Sequence, residues 1–272
     1  AVRSIGELKA VNLSARDGMK IPSIITLPTD PSKRTNLPLI ALPHGGPATH
    51  DSLRFDWLAQ YLAAKGYAVL QPNFRGSTGF GFALHDRGAG EWGQKMQDDV
   101  SDGVAALVQA GYVDPERVCI MGASYGGYSA LAGAAFTPDL YRCVISIAGV
   151  SDLPQMLRSA KAKHGRNHWV VSYWENIIGD PKSQREKLTA ISPINFANSV
   201  EAPVLLIHGK DDTVVPIRQS TAMYKALKKA DKPVEFVTLK GEDHWLSRTE
   251  TRLALLKEVD KFLDQHNPAE IL

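Results

Sequence analysis

The chain has 272 residues, of which 44% are hydrophobic and 22% charged, with a formal net charge of +2. These values exclude a disordered or fibrous chain and suit one large α/β domain or two small ones around a substantial core. With no Lys/Arg cluster interleaved with aromatic residues, the electrostatic footprint of a nucleic-acid-binding protein is also absent.

Two short strand-like segments come first, Ala10 to Leu13 and Ile21 to Leu27. Apolar runs rich in Val, Ile and Leu then follow at Leu39 to Leu42, Tyr67 to Leu70, Val118 to Met121, Cys143 to Ala148, Val204 to Ile207 and Val234 to Leu239. Between them, Phe55 to Ala64, Gln97 to Gln109, Tyr128 to Phe136, Gln219 to Lys229 and Arg252 to Phe262 carry apolar residues at helical spacing. This alternation predicts a doubly wound, mostly parallel α/β sheet flanked by helices, with ligands bound beyond the carboxyl ends of the strands. A single domain over 1–272 is expected, since no internal repeat or long linker interrupts it. Residues 151–200 break the alternation and read either as a cap over the site or as packed surface helices.

Several other signals are bland. Lys225, Lys228, Lys229 and Lys232 fall on a predicted amphipathic helix and its end, where a solvated basic face is expected. Cys119 and Cys143 lie in apolar runs and read as buried thiols rather than a disulfide framework. No apolar run is long enough for a transmembrane helix, and residues 1–20 lack the pattern of a signal peptide. A cytoplasmic location is favoured, with any signal upstream of Ala1 lying outside the sequence. Gly88 to Gly93 satisfies Gly-x-Gly-x-x-Gly but follows no strand, and His164 and His168 lack the glutamate pattern of a zinc protease, so no cofactor or metal is expected.

The chemistry centres on Gly122-Ala123-Ser124-Tyr125-Gly126-Gly127, directly after the run Val118 to Met121. A chance Gly-x-Ser-x-Gly occurs in roughly one in ten chains of this size, so context has to support it. After a strand, the pattern reads as a nucleophile elbow, a turn sharp enough that flanking side chains would collide. A serine hydroxyl then needs a base within hydrogen-bond reach and an acid to orient that base. His244 lies between the last predicted strand and the last helix, which Ser247-Arg248-Thr249-Glu250 should open as a capping box. Asp211 and Asp212 follow the run Val204 to Ile207, and spacing alone does not choose between them or exclude a helix-capping role. His44, His50, His85, His208 and His266 have weaker context for the base. The oxyanion donors expected are the backbone N–H of Tyr125 and one from Pro43-His44-Gly45-Gly46-Pro47.

Taken in order, these motifs resemble the α/β-hydrolase catalytic domain of the prolyl oligopeptidase family, in its acylaminoacyl-peptidase and dipeptidyl-aminopeptidase branch. The likeness runs from the Pro43 loop through Asn73 to Gly81, Asp114 to Arg117, the Ser124 elbow, and His208-Gly209 to Val214-Val215-Pro216, ending at Gly241 to His244. It implies Ser124 as nucleophile, His244 as base and Asp212 as the acid, with oxyanion donors at Gly46 and Tyr125. It also implies an apolar pocket near Val150, Leu153, Met156 and Val215, and a short peptide or acyl substrate cleaved without a metal. A carboxylesterase acting on small esters is the nearest rival, and a non-catalytic binding scaffold a remote one. Family members usually carry a large N-terminal β-propeller that this sequence does not contain, so both an isolated domain and a longer parent chain with a propeller stay open, as does a homo-oligomer. Val214 replaces the asparagine that dipeptidyl-peptidase relatives use to hold substrate, which removes the basis for assuming strict dipeptide release.

Overall fold

A computed structural model describes residues 5–30 and 34–269. Strands β1 (Glu7–Ser14) and β2 (Lys20–Leu27) form an antiparallel hairpin that joins the sheet through β4 (Ala68–Pro72). With β3 (Leu37–Ala41), β5 (Val113–Ala123), β6 (Cys143–Ile147), β7 (Val204–Gly209) and β8 (Val234–Leu239), they make an eight-stranded sheet in the order β1-β2-β4-β3-β5-β6-β7-β8. Every pairing from β4 to β8 is parallel.

Each residue of β3, β4, β6 and β7 is buried, as strands covered on both faces require. Successive side chains go to opposite faces. Leu39, Ala41, Val118 and Ile120 pack with residues of α3 (Lys95–Gln109), α4 (Tyr125–Phe136) and α8 (Arg218–Lys229). Ile40, Cys119, Met121 and Ile145 pack with α1 (Trp57–Ala64) and α9 (Thr249–His266). Each fully buried Leu or Ile in these layers stabilises the fold by about 1.5–3 kcal/mol relative to an exposed one.

Four local features differ from expectation. Helix α4 starts at Tyr125 instead of Tyr128, because the elbow turns within a single residue. A short helix α2 (Phe82–Asp86) was not signalled by any periodicity. The cysteines are joined: Cys119 and Cys143 are direct partners on neighbouring strands, with Cα atoms 4.7 Å apart, and form a disulfide. Their burial follows from their apolar runs, but their pairing depends on strand register, which composition does not reveal. Finally, Ser247 to Glu250 is no capping box, since the Ser247 hydroxyl donates to the Asp243 carboxylate and Arg248, at the cap position, makes no side-chain cap bond.

Residues 151–200 form α5 (Leu153–His164), α6 (Trp169–Ile178), α7 (Arg185–Ala190) and a 3₁₀ stretch, Pro193–Ser199. Asp152 starts α5 by accepting from Gln155 N–H at 2.9 Å. Lys161 of α5 pairs with Glu175 of α6 at 2.5 Å, and α6 thereby lies beside the carboxyl end of β5, where it matters for the site. Lys225, Lys228 and Lys229 are exposed, while Lys232 pairs with Glu201 at 3.1 Å.

Candidate active site

Ser124 is the one residue between β5 and α4, with φ 58° and ψ −117°. A residue bearing a Cβ is strained there, at a cost on the order of 1–3 kcal/mol, and the glycines around it have to make room. A Cβ on Gly122 would sit 2.4 Å from the Gly126 carbonyl carbon, and one on Gly126 only 2.1 Å from the Pro43 oxygen. The elbow is therefore pressed against the Pro43 loop, and Ser124 N–H donates to Ile147 O at 2.9 Å to hold it.

Three side chains from three loops meet at the strand ends. His244 Nε2 lies 3.0 Å from Ser124 Oγ, and His244 Nδ1 lies 2.7 Å from Asp212 Oδ2. A carboxylate only accepts, so Nδ1 carries the proton and Nε2 is free to accept from the serine hydroxyl. The other oxygen of Asp212 accepts from Val214 N–H at 2.8 Å and Val215 N–H at 2.9 Å. Burial raises the Asp212 carboxyl, but the hydrogen bonds from His208 and His244 outweigh that and hold it well below the usual carboxylate range. Asp211 takes no part in this array, and its N–H donates to Glu242 O at 3.0 Å.

His208, set aside as a base, nonetheless faces Asp212. It is fully buried, with Nε2 2.9 Å from Val215 O and 3.3 Å from Asp212 Oδ2, and Nδ1 2.7 Å from Ser220 Oγ. Its position on β7, four residues before Asp212, was the sequence signal for this contact.

Beside Ser124 runs a cleft of about 660 Å³ bounded by Gly46, Trp57, Tyr173, Trp174, Trp245 and Arg252, among others. Deeper in lies a pocket with room for only about 10 Å³, lined by Val150, Met156 and Val215 together with Trp92, Trp174 and Ile178. Leu153, at the start of α5, is fully buried in the same core cluster as Val150, Met156 and Val215 but does not itself line this pocket. The aromatic lining went unforeseen because it comes from the irregular 151–200 segment and from the loop before α3. Gly46 and Tyr125 border the same pocket, and Tyr125 opens α4, where backbone N–H groups have no partner within the helix.

The Pro43 loop is braced from behind. His44 stacks on Phe74 at 4.4 Å, with Nδ1 2.7 Å from Gly45 O and Nε2 2.9 Å from Ser77 Oγ. Burial, with a smaller push from His50, lowers His44 from 6.5 to about 4 despite its bond to Gly45 O. Its folded-state value is depressed, so the unfolded chain takes up this proton first as pH falls. Stability is therefore lost from about pH 6.5 down to about pH 4, on the order of 3 kcal/mol in all. Urea unfolding between pH 7 and 4.5 should show a shallower acid loss for His44→Asn than for the parent, and equal slopes would refute the assignment.

Among the described residues, no group of three or more His, Cys, Asp or Glu could hold a metal ion, and no helix is long and apolar enough to cross a membrane.

A serine elbow at the carboxyl end of the fifth strand, with aspartate and histidine on the loops after the seventh and eighth, defines the α/β-hydrolase class. Solved structures agree. The puromycin-hydrolysing peptidase of Mycobacterium tuberculosis superposes with a TM-score of 0.90 at 28% identity, covering 97% of this chain and 40% of that one. Pyrococcus horikoshii acylaminoacyl peptidase does so with 0.88 at 26%, covering 98% and 43%. The chain belongs to the prolyl oligopeptidase family, whose profile matches residues 53–268. Dipeptidyl aminopeptidase BIII of Pseudoxanthomonas mexicana is 37% identical over 266 residues, covering 94% of this chain and 38% of that protein. The acylamino-acid-releasing enzyme of Rattus norvegicus is 31% identical over 249 residues, covering 89% and 32%. The chain thus spans well under half the length of these relatives.

Proposed function

We propose that this chain is the catalytic part of a serine peptidase that cleaves short peptides through an acyl-enzyme. The observation that carries the reading is the series Ser124 Oγ, His244 Nε2 at 3.0 Å, and His244 Nδ1 to Asp212 at 2.7 Å, opening on the cleft. Ser124 attacks the carbonyl carbon and His244 takes its proton, then passes it to the leaving amine. Asp212 keeps the imidazole in the productive tautomer and offsets its positive charge. Backbone N–H groups of Gly46 and Tyr125 stabilise the oxyanion, and water releases the acyl group by the same route in reverse. Relatives named for dipeptide and acylamino-acid release, and an acylaminoacyl peptidase solved with a peptide chloromethyl ketone, support an amide substrate. Turnover of an aminoacyl anilide beside a short-chain nitrophenyl ester tests it. Anilide cleavage is expected, and ester cleavage without any anilide cleavage would favour an esterase instead.

The pocket next to Ser124 sets the residue before the scissile bond. Room for about 10 Å³ holds roughly one water or a methyl group, so alanine there should be preferred over phenylalanine. Met156, Trp174 and Val214 also border a neighbouring cavity of about 330 Å³, and so form the partition between the two spaces. Met156→Ala should join the cavities and raise the phenylalanine-to-alanine ratio of kcat/KM roughly tenfold or more. An unchanged ratio would remove Met156 from the specificity wall.

A further inference from the structure

Glu242 is completely buried two residues before His244, and among the described residues no Lys or Arg side chain forms an ion pair with it. Its carboxylate is instead held by backbone and hydroxyl donors. One oxygen accepts from Asp243 N–H and Ser247 N–H, both at 2.9 Å. The other accepts from Arg248 N–H at 3.4 Å and from the Thr251 hydroxyl. Two of these donors, Arg248 N–H and the Thr251 hydroxyl, belong to the cap and opening turn of α9, where backbone N–H groups have no partner within the helix.

The geometry makes Glu242 a clasp. Its carboxylate ties residue 243 to residues 247–251, closing the loop 243–247 that presents His244. Within that loop Leu246 adopts φ 52°, a conformation kept only where surrounding bonds overdetermine it. The backbone oxygen of Glu242 also accepts from Asp211 N–H at 3.0 Å, next to Asp212. A Cβ on Gly209 would lie 2.6 Å from that same oxygen, so the acid loop and the base loop touch here through backbone alone.

We propose that Glu242 is a positioning residue for the hydrolytic reaction, locking the His244 loop simultaneously to the last helix and to the Asp212 loop. It touches neither substrate nor the reacting atoms, and acts by keeping the His244 imidazole within hydrogen-bond reach of Ser124. The inference rests on the Ser124, His244 and Asp212 reading above, so its test is arranged to fail separately from that reading.

In Glu242→Gln, an amide nitrogen faces donors where an oxygen accepted. A displacement of the imidazole by about 1 Å corresponds to a loss on the order of 100-fold in kcat, with KM within about threefold. A fluorophosphonate counts the competent sites. The expected result is slow labelling that still reaches full stoichiometry, with kcat per labelled site reduced. Fewer labelled sites, each turning over at the parent rate, would mean that Glu242 only supports folding, and would overturn the proposal. Should Glu242→Gln fail to fold, Thr251→Val removes a single donor. A several-fold lower kcat per labelled site is then expected, and a parent value would count against the clasp. Hydrolysis that persists in Ser124→Ala would instead overturn the underlying triad reading and leave the role of Glu242 without a reaction to serve.

Discussion

Ser124→Ala should lower kcat/KM by on the order of 10⁴-fold or more and abolish labelling by a fluorophosphonate, while substrate affinity changes little. The effect is large because, among the described residues, Ser124 supplies the hydroxyl held 3.0 Å from His244 Nε2 at the elbow. Residual hydrolysis would come from the backbone donors and from binding alone. The variant should fold, and it should even lose a little of the backbone strain less readily than Ser124→Gly would, since alanine retains the Cβ at φ 58°. Circular dichroism and thermal melting separate loss of chemistry from loss of structure. Labelling that survives the substitution would place the nucleophile elsewhere.

Asp212→Asn has the second largest expected effect, a drop in kcat of roughly 10³- to 10⁴-fold with the fold intact. An amide that keeps one oxygen toward Val214 and Val215 N–H turns its NH₂ toward His244. Two donors then oppose each other, and the imidazole must give up the tautomer that lets Nε2 accept from Ser124. The same substitution has a pH signature. Because the Asp212 carboxyl is depressed in the folded protein, its contribution to stability is present above the unfolded value of 3.8 and is lost as pH falls below it. The stability gap between parent and Asp212→Asn should accordingly narrow below about pH 4, as followed by urea unfolding. A gap that stays constant through that range would contradict the ionised, hydrogen-bonded state inferred for this residue.

Much of this site was legible before folding because its parts are local. Ser124 is announced by its own glycines, and those glycines prove to be where backbone meets backbone, Gly126 against Pro43 above all. His244 is marked by its place between a strand and a helix. The choice between Asp211 and Asp212 is different in kind. Adjacent residues point in different directions, and only the resemblance to a family, not spacing, separated them; the hydrogen bonds now show Asp212 facing His244 while Asp211 turns its backbone to Glu242.

At the start of the last helix, the sequence carried two competing signals. The Ser247 to Glu250 pattern matched a capping box, yet Glu242, on the preceding loop, supplies the carboxylate that meets Ser247 and Arg248 N–H. An acidic residue shortly before the helix start is present in the chain, but at six residues before the cap Glu242 lies outside the four-residue window of a capping box. Trp174 on α6 lines the pocket beside Ser124 together with Val150, Met156 and Val215, while Leu153 is buried in the core next to them.

Residue order alone was enough for the alternation of strands and helices, the elbow at Ser124, and the loops after the seventh and eighth strands that carry Asp212 and His244, because each is encoded within a few neighbouring residues and their periodicity. Folding decided what depends on long-range placement: the register that puts Cys119 opposite Cys143, the aromatic wall that leaves about 10 Å³ beside Ser124, and the backbone bond from Asp211 N–H to Glu242 O that joins two loops. Those are contacts between segments distant in the chain, set by how the sheet and helices pack, and no local pattern specifies them.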